Sequence, residues 1–235
     1  MSFANFPMGS ISSKPFSPLD LSPYIWVRAD DVTITSGVLV DSMNDKSGNS
    51  RDLAQTSTNR PDLLTADAGF NDQDAVDFNP QESLVLASLT LAQPFTVFAA
   101  IRANTWTTNK RLFDLNSSNA TLMIANKDGA STPNVIQGVT VPNEVNAVSM
   151  TVGTEFLLTS VFDGASASQQ LNNNTAVTGG STGTTALNKI QLANRTDNAT
   201  GADVTIAELI IIPSAVTGDD LASMQGYFNA RYSFW

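Results

Sequence analysis

Residues 204–212, VTIAELIII, carry the strongest β signal of the chain and constrain everything around them. Ile206, Leu209, Ile210, Ile211 and Ile212 crowd β-branched and aliphatic side chains into one run, which reads as a buried strand. Pro213 ends it, because proline has no N–H to give to a ladder. Thr217 then opens a helix. Its hydroxyl is suited to accept an N–H three residues on, and Asp219 and Asp220 suit the positive end of the helix dipole. Leu221, Met224, Phe228 and Tyr232 fall on one face at three-to-four spacing. The expected unit is a buried strand, a tight turn and one short amphipathic helix, closing a chain that otherwise reads as strand.

A chain of 235 residues with 42% hydrophobic content is able to bury a full core, and all-β domains of this size are commonly single. Cysteine is absent, which excludes disulfides, thiolate metal sites and a cysteine nucleophile. Histidine is absent too, which removes serine–histidine triads, imidazole ligands and the usual general base. A net charge of −10 makes nucleic acid an unfavourable partner. No apolar stretch reaches membrane-spanning length, and the N-terminus lacks the charged-then-apolar run of a signal peptide. The expectation is therefore a chain made and folded in a cytoplasm, with no membrane partner.

Residues 1–23 form a compositional zone of their own. Pro7, Pro15, Pro18 and Pro23 alternate with Phe3, Phe6, Ile11 and Phe16 among serines, a pattern that resists both helix and ladder. Two readings stand open: an arm packed on its own domain, or an arm docking on a neighbouring subunit through those four apolar residues. Residues 24–235 are read as one domain. Residues 24–31 are a short strand running into a polar turn, and residues 41–49, DSMNDKSGN, are dense in turn formers. Residues 75–78 alternate as a half-buried strand. Further strands are expected at 83–87, 94–102, 111–115, 121–125, 135–140, 145–152, 155–162, 167–171 and 186–192. Those at 94–102 and 155–162 are the most apolar and read as central. Asp128-Gly129 reads as a hairpin turn, and residues 172–185 as an exposed loop.

The order Trp26-Val27-Arg28-Ala29-Asp30, then residues 44–49 (NDKSGN), Arg60-Pro61 and Ala75-Val76-Asp77-Phe78 resembles the opening half of laminin-G-like domains of the concanavalin A-like superfamily. The strands at 95–101 and 156–162 and the ending 206–211 plus helix resemble its second half. Met43 stands where relatives often carry tryptophan, and residues 171–174 (LNNN) replace the usual Asn-Gly hairpin. The resemblance implies an all-β jelly-roll sandwich of two stacked antiparallel sheets. It also implies a choice among lectins, glycosidases, adhesive modules and bacteriophage virion proteins.

Sites must separate those classes. A glycosidase needs two facing carboxylates, and the Glu-x-Asp-x-x-Glu array of hydrolytic relatives is absent, so no enzyme is expected. Glu208, between Ala207 and Leu209, is expected to be partly buried and structural, bonded to backbone N–H groups or an arginine such as Arg231. A lectin-like site needs an aromatic platform with polar neighbours, for which Trp106 and Asn104 are the candidates. Asp30, Asp31 and Asp45 are weak candidates for calcium, and otherwise no cofactor is expected. The reading that follows is a non-enzymatic virion protein of a tailed phage, a capsid decoration or head/tail appendage. It would bind capsid or other virion proteins through the arm residues Phe3, Phe6, Ile11 and Phe16 and be a homo-oligomer in the particle. The alternative is a carbohydrate-binding module for a host-surface glycan.

Overall fold

The computed structural model describes residues 14–105, 110–118, 122–127, 134–138, 144–195 and 200–235. Its strands follow one another in the order β1 (Ile25–Ser36), β2 (Leu39–Asp45), β3 (Leu53–Ala54), β4 (Asp62–Asp67), β5 (Gln73–Phe78) and β6 (Val85–Leu91). Next come β7 (Phe95–Ala103), β8 (Arg111–Asp114), β9 (Met123–Lys127), β10 (Asn134–Gly138) and β11 (Glu144–Ser149). The chain ends with β12 (Glu155–Phe162), β13 (Ser168–Leu171), β14 (Val177–Thr178), β15 (Leu187–Leu192), β16 (Val204–Ile212) and the helix α1 (Gly218–Tyr232). The expected Asp128-Gly129 hairpin lies outside the described residues.

The all-β character with one C-terminal helix holds, but the expected sandwich of two separate sheets does not. Hydrogen bonds join the strands into one continuous sheet, and β1–β2–β4–β5–β16 close a five-strand circuit from which the other strands extend. The cause is the length of β1. It was expected to stop near residue 31, but it runs through twelve residues. Its first part pairs with β16, from Ile25 opposite Ile211 to Arg28 opposite Glu208. After a register shift between Val27 and Val32, its second part pairs with β2. Such an irregularity bends a strand and raises its twist, so one strand is able to bridge two neighbours. The turn-rich residues 41–49 likewise split, with β2 continuing to Asp45 before the turn begins.

Strands β7 and β16 lie side by side and are buried on both faces, as β12 is along all but its first residue. Val97, Ala99 and Ile101 of β7 join Leu158, Ile206 and Leu209 in the larger core. Their alternates Phe98 and Ala100 join Leu157, Ala207 and Ile210 in a second core. Helix α1 covers this second core with Met224, Phe228 and Tyr232. Thr217 is the N-cap residue, although its side chain makes no capping hydrogen bond.

Opposite β7, residue Ile206 faces Ile101 whereas Glu208 faces Ala100, so Ala207 is an inserted residue. Ala207 and Ile210 both belong to the helix-side core, while Ile206 and Leu209 belong to the other. The bulge thus shifts the side-chain alternation by one and turns Glu208 toward the helix, the re-aiming that strand bulges supply.

Candidate functional site

Glu208 is fully buried beneath α1. Its Oε1 accepts hydrogen bonds from Trp26 Nε1 (2.5 Å) and the Tyr227 hydroxyl (2.8 Å), and its Oε2 accepts from the Tyr232 hydroxyl (2.8 Å). Each tyrosine oxygen in turn accepts from an arginine: Tyr227 from Arg28 Nη1 (3.4 Å) and Tyr232 from Arg231 Nε (3.3 Å). An arginine only donates, so both hydroxyl protons point at Glu208, which accepts three hydrogen bonds. Burial pushes its carboxyl up from the ordinary range, and the Tyr227, Tyr232 and Trp26 donors work against that. The Tyr227 and Tyr232 phenols are both raised by burial and by the neighbouring Glu208 carboxylate. The partners anticipated for Glu208 were backbone N–H groups or Arg231. Its hydrogen bonds come from an indole and two phenols rather than backbone N–H groups, and Arg231 is its ion-pair partner, with Nε 4.0 Å from Oε2.

Outside this cluster lies a groove of about 680 Å³. Ser223, Gly226, Tyr227, Ala230 and Arg231 form one wall, at the three-to-four spacing of a second stripe along α1. The opposite wall is Asn71 and Gln73, at the turn between β4 and β5. Asn71 sits in the left-handed region (φ 56°), and its Nδ2 donates to the Arg231 carbonyl (3.0 Å), which pins the turn to the helix end. Phe70, next to it, is fully buried with its ring edge-on to Tyr232 at 6.0 Å. Phe16 closes one side. It is delivered by a 3-10 turn, Pro18–Leu21, where Ser17 and Asp20 form a reciprocal capping box. Gly226 keeps the floor low, and a side chain added there would meet nothing within 4 Å. Among the described arm residues, Phe16 therefore packs against this chain's own helix; Phe3, Phe6 and Ile11 lie outside the described residues.

Asn104 belongs to a different cluster, at the end of β7. Its Nδ2 donates to Asp77 Oδ1 (2.8 Å) and Asp203 Oδ1 (3.0 Å), while its Oδ1 accepts from Arg102 Nε (3.1 Å) and the Thr205 hydroxyl (3.1 Å). The Thr205 hydroxyl shares its single proton between Asn104 and the nearer Asp77 Oδ1 (2.7 Å). Arg102 also donates from Nη1 to Asp67 (3.1 Å) and Glu155 (2.8 Å), and from Nη2 to Asp67 (3.1 Å). Burial alone would raise the Asp67 carboxyl, but Arg102 and the Gly69 N–H hold it below the ordinary carboxylate range. Trp106, the proposed platform beside Asn104, lies outside the described residues.

The aspartates considered for calcium are each engaged elsewhere. Asp30 accepts from Arg28 Nε (2.6 Å) and Arg231 Nη2 (3.0 Å). Asp31 accepts from Lys46 (2.9 Å) and Asn44 (3.1 Å), and these bonds, Lys46 first, lower its pKa. Asp45 organises the NDKSGN turn by accepting from the N–H groups of Trp26, Ser47 and Arg51. Among the described residues, no three acidic side chains converge as a metal site.

No protein-family model matches the chain, and no curated protein is similar to it. Its fold is similar to several solved structures. A GH54 α-L-arabinofuranosidase aligns at 15% identity and TM-score 0.62, over 89% of this chain and 59% of that one. A Trypanosoma rangeli sialidase in complex with sialic acid aligns at 10% identity and TM-score 0.60, over 86% and 32%. Domain 4 of AbnA, a GH43 extracellular arabinanase from Geobacillus stearothermophilus in complex with arabinotriose, aligns at 15% identity and TM-score 0.57, over 89% and 98%. The chain thus spans less than two thirds of the first two enzymes.

These likenesses, with the closed strand circuit, correct the concanavalin A-like resemblance and the phage virion reading drawn from it. The three matched structures are an arabinofuranosidase, a sialidase and a domain of an arabinanase. They also overturn the exclusion of an enzyme. That exclusion rested on one missing carboxylate array, and glycoside hydrolases are among the folds the chain resembles.

Proposed function

We propose that the chain binds a carbohydrate in the groove between α1 and the β4–β5 turn. The observation that carries this reading is the composition of the groove. Phe16 and Tyr227 offer aromatic carbon, while Asn71, Gln73, Ser223 and Arg231 offer hydrogen-bonding groups around it. Sugar rings present the matching pair of surfaces, C–H faces that lie on aromatic rings and hydroxyls that bond amides and guanidinium. The likeness to an arabinanase domain solved with arabinotriose supports the reading, since that domain is matched over nearly its whole length.

Arabino-oligosaccharides are the first ligands to test, by titration calorimetry on the full chain. Gly226→Leu is the variant of choice. Its side chain enters empty space, and leucine favours a helix over glycine by somewhat under about 1 kcal/mol, so the fold is retained while the groove is filled. The expected result is saturable binding by the native chain and its loss in the variant. Binding that survives a filled groove refutes this location. The same samples are incubated with 4-nitrophenyl α-L-arabinofuranoside. Turnover that survives Gly226→Leu but is lost in Glu155→Gln would move the function to the Arg102 cluster.

A further inference from the structure

The groove takes the same arginine into its wall that the Glu208 cluster uses, and this sets the charge a ligand is able to carry. Arg231 Nη2 donates to Asp30 Oδ2 at 3.0 Å, and its Nε donates to the Tyr232 hydroxyl, with Glu208 Oε2 at 4.0 Å. Asp30 is held in turn by Arg28 Nε at 2.6 Å, and Arg28 Nη1 reaches the Tyr227 hydroxyl. Two guanidinium groups therefore face two carboxylates, and the positive charge at the groove wall is matched within the protein. Arg231 Nη1 makes no hydrogen bond among the described residues, so its two N–H groups remain to donate to a neutral acceptor.

From this arrangement we infer that the groove selects uncharged sugars and discriminates against sugars bearing a carboxylate. The inference deepens the carbohydrate reading and rests on it. Recognising a carboxylate by arginine draws on an unmatched guanidinium charge, frequently through two parallel N–H donors. Here the Nε–H is taken by Tyr232 and one Nη2–H by Asp30, and the guanidinium charge is already matched by Asp30 and Glu208, so an incoming acid finds no unmatched cation. The chain's net charge of −10 adds long-range repulsion of the same sign. A hydroxyl-rich neutral sugar needs one donor from Arg231 and meets no such penalty. Asp30 and Glu208 act here as specificity residues, through Arg231 rather than by touching the ligand.

The test is a titration of the full chain with arabinotriose and with trigalacturonic acid, each at low and at physiological ionic strength. Arabinotriose is expected to bind at least tenfold more tightly, with the gap wider at low salt. Asp30→Asn releases Arg231 Nη2 and is expected to narrow that ratio about tenfold. Arg231→Gln removes one of the two cations that face these carboxylates and is expected to widen it. Circular dichroism verifies that each variant is folded, and the ratio for the native chain decides the matter even if neither variant is. Equal or tighter binding of the acidic sugar by the native chain overturns the selectivity and leaves carbohydrate binding standing. Binding of neither sugar refutes both.

Discussion

Two clusters of charge sit on the same pair of central strands and solve burial in opposite ways. Glu208 on β16 is sealed under α1 and is satisfied mainly by neutral donors, an indole and two phenols. Arg102 on β7 stays partly exposed and is satisfied by acids, Asp67 and Glu155, with Thr205 and Asn104 completing its hydrogen bonds. A buried charge is costly unless every lone pair is used, so the first cluster depends on a complete set of donors. The second keeps some water to fall back on. The one is a rigid support for the groove wall at Tyr227 and Arg231. The other is a clasp between β4, β7 and β12.

The sharpest way to break this contrast is to delete the sealed acid. Glu208→Ala strands two buried donors and the half-buried Tyr227 hydroxyl and is expected to cost about 4 kcal/mol in urea unfolding, with loss of sugar binding because Tyr227 loses its anchor. A cost comparable to a surface change would mean that the phenols find other partners. Arg102→Met leaves two acids without their cation but within reach of solvent, and about 2 kcal/mol is expected, with the groove unaffected. Gly69→Ala probes the same clasp more gently. A Cβ at Gly69 would sit 1.9 Å from Glu155 Oε1 and 2.9 Å from Arg102 Nη1, so the ion pair must shift. About 1 kcal/mol is expected, and an Arg102→Met background should abolish most of it.

The smallest effect is in the pH dependence, where the clusters have opposite sign. Asp67 is depressed in the folded state, so its stabilisation is present above its ordinary value of 3.8 and is lost as pH falls through the folded value. Glu208 is raised, so the folded state is favoured most below its ordinary value of 4.5 and loses that advantage as pH rises through the folded value. Stability measured against pH should therefore lose part of its acid-side decline in Asp67→Asn. In Glu208→Gln it should lose part of the decline above pH 4.5. Identical profiles in both variants would show that the two environments do not differ.

The strands at 155–162 and 204–212 and the helix after Thr217 were legible because apolar runs end there at prolines, Asp-Gly or an N-cap residue. That information is local. The second half of β1, β2 and β4 were not legible, because their side chains are largely polar or half exposed and leave no apolar alternation to read. Asn104 was singled out as a ligand contact from its polar surroundings. Its side chain bonds Asp77 and Asp203, which lie 27 and 99 residues away in the chain. Phe16 was recognised as a side chain that needs a place to bury. That the place is this chain's own groove depended on a helix some 200 residues later.

By itself, then, the sequence determined the composition of the molecule's parts: an all-β chain with buried central strands, one closing amphipathic helix, and no imidazole or thiol chemistry. Periodicity and turn chemistry act over a few residues, so a reader needs no fold to see them. Tertiary structure alone decided that β1 would bend between two neighbours and close a strand circuit. It also decided that an inserted alanine would turn Glu208 under the helix, and that an aromatic, two amides and an arginine from three distant segments would share one groove. Each of those depends on pairings across more than a hundred residues, where the free energy lies in burial and hydrogen-bond completion rather than in any local preference.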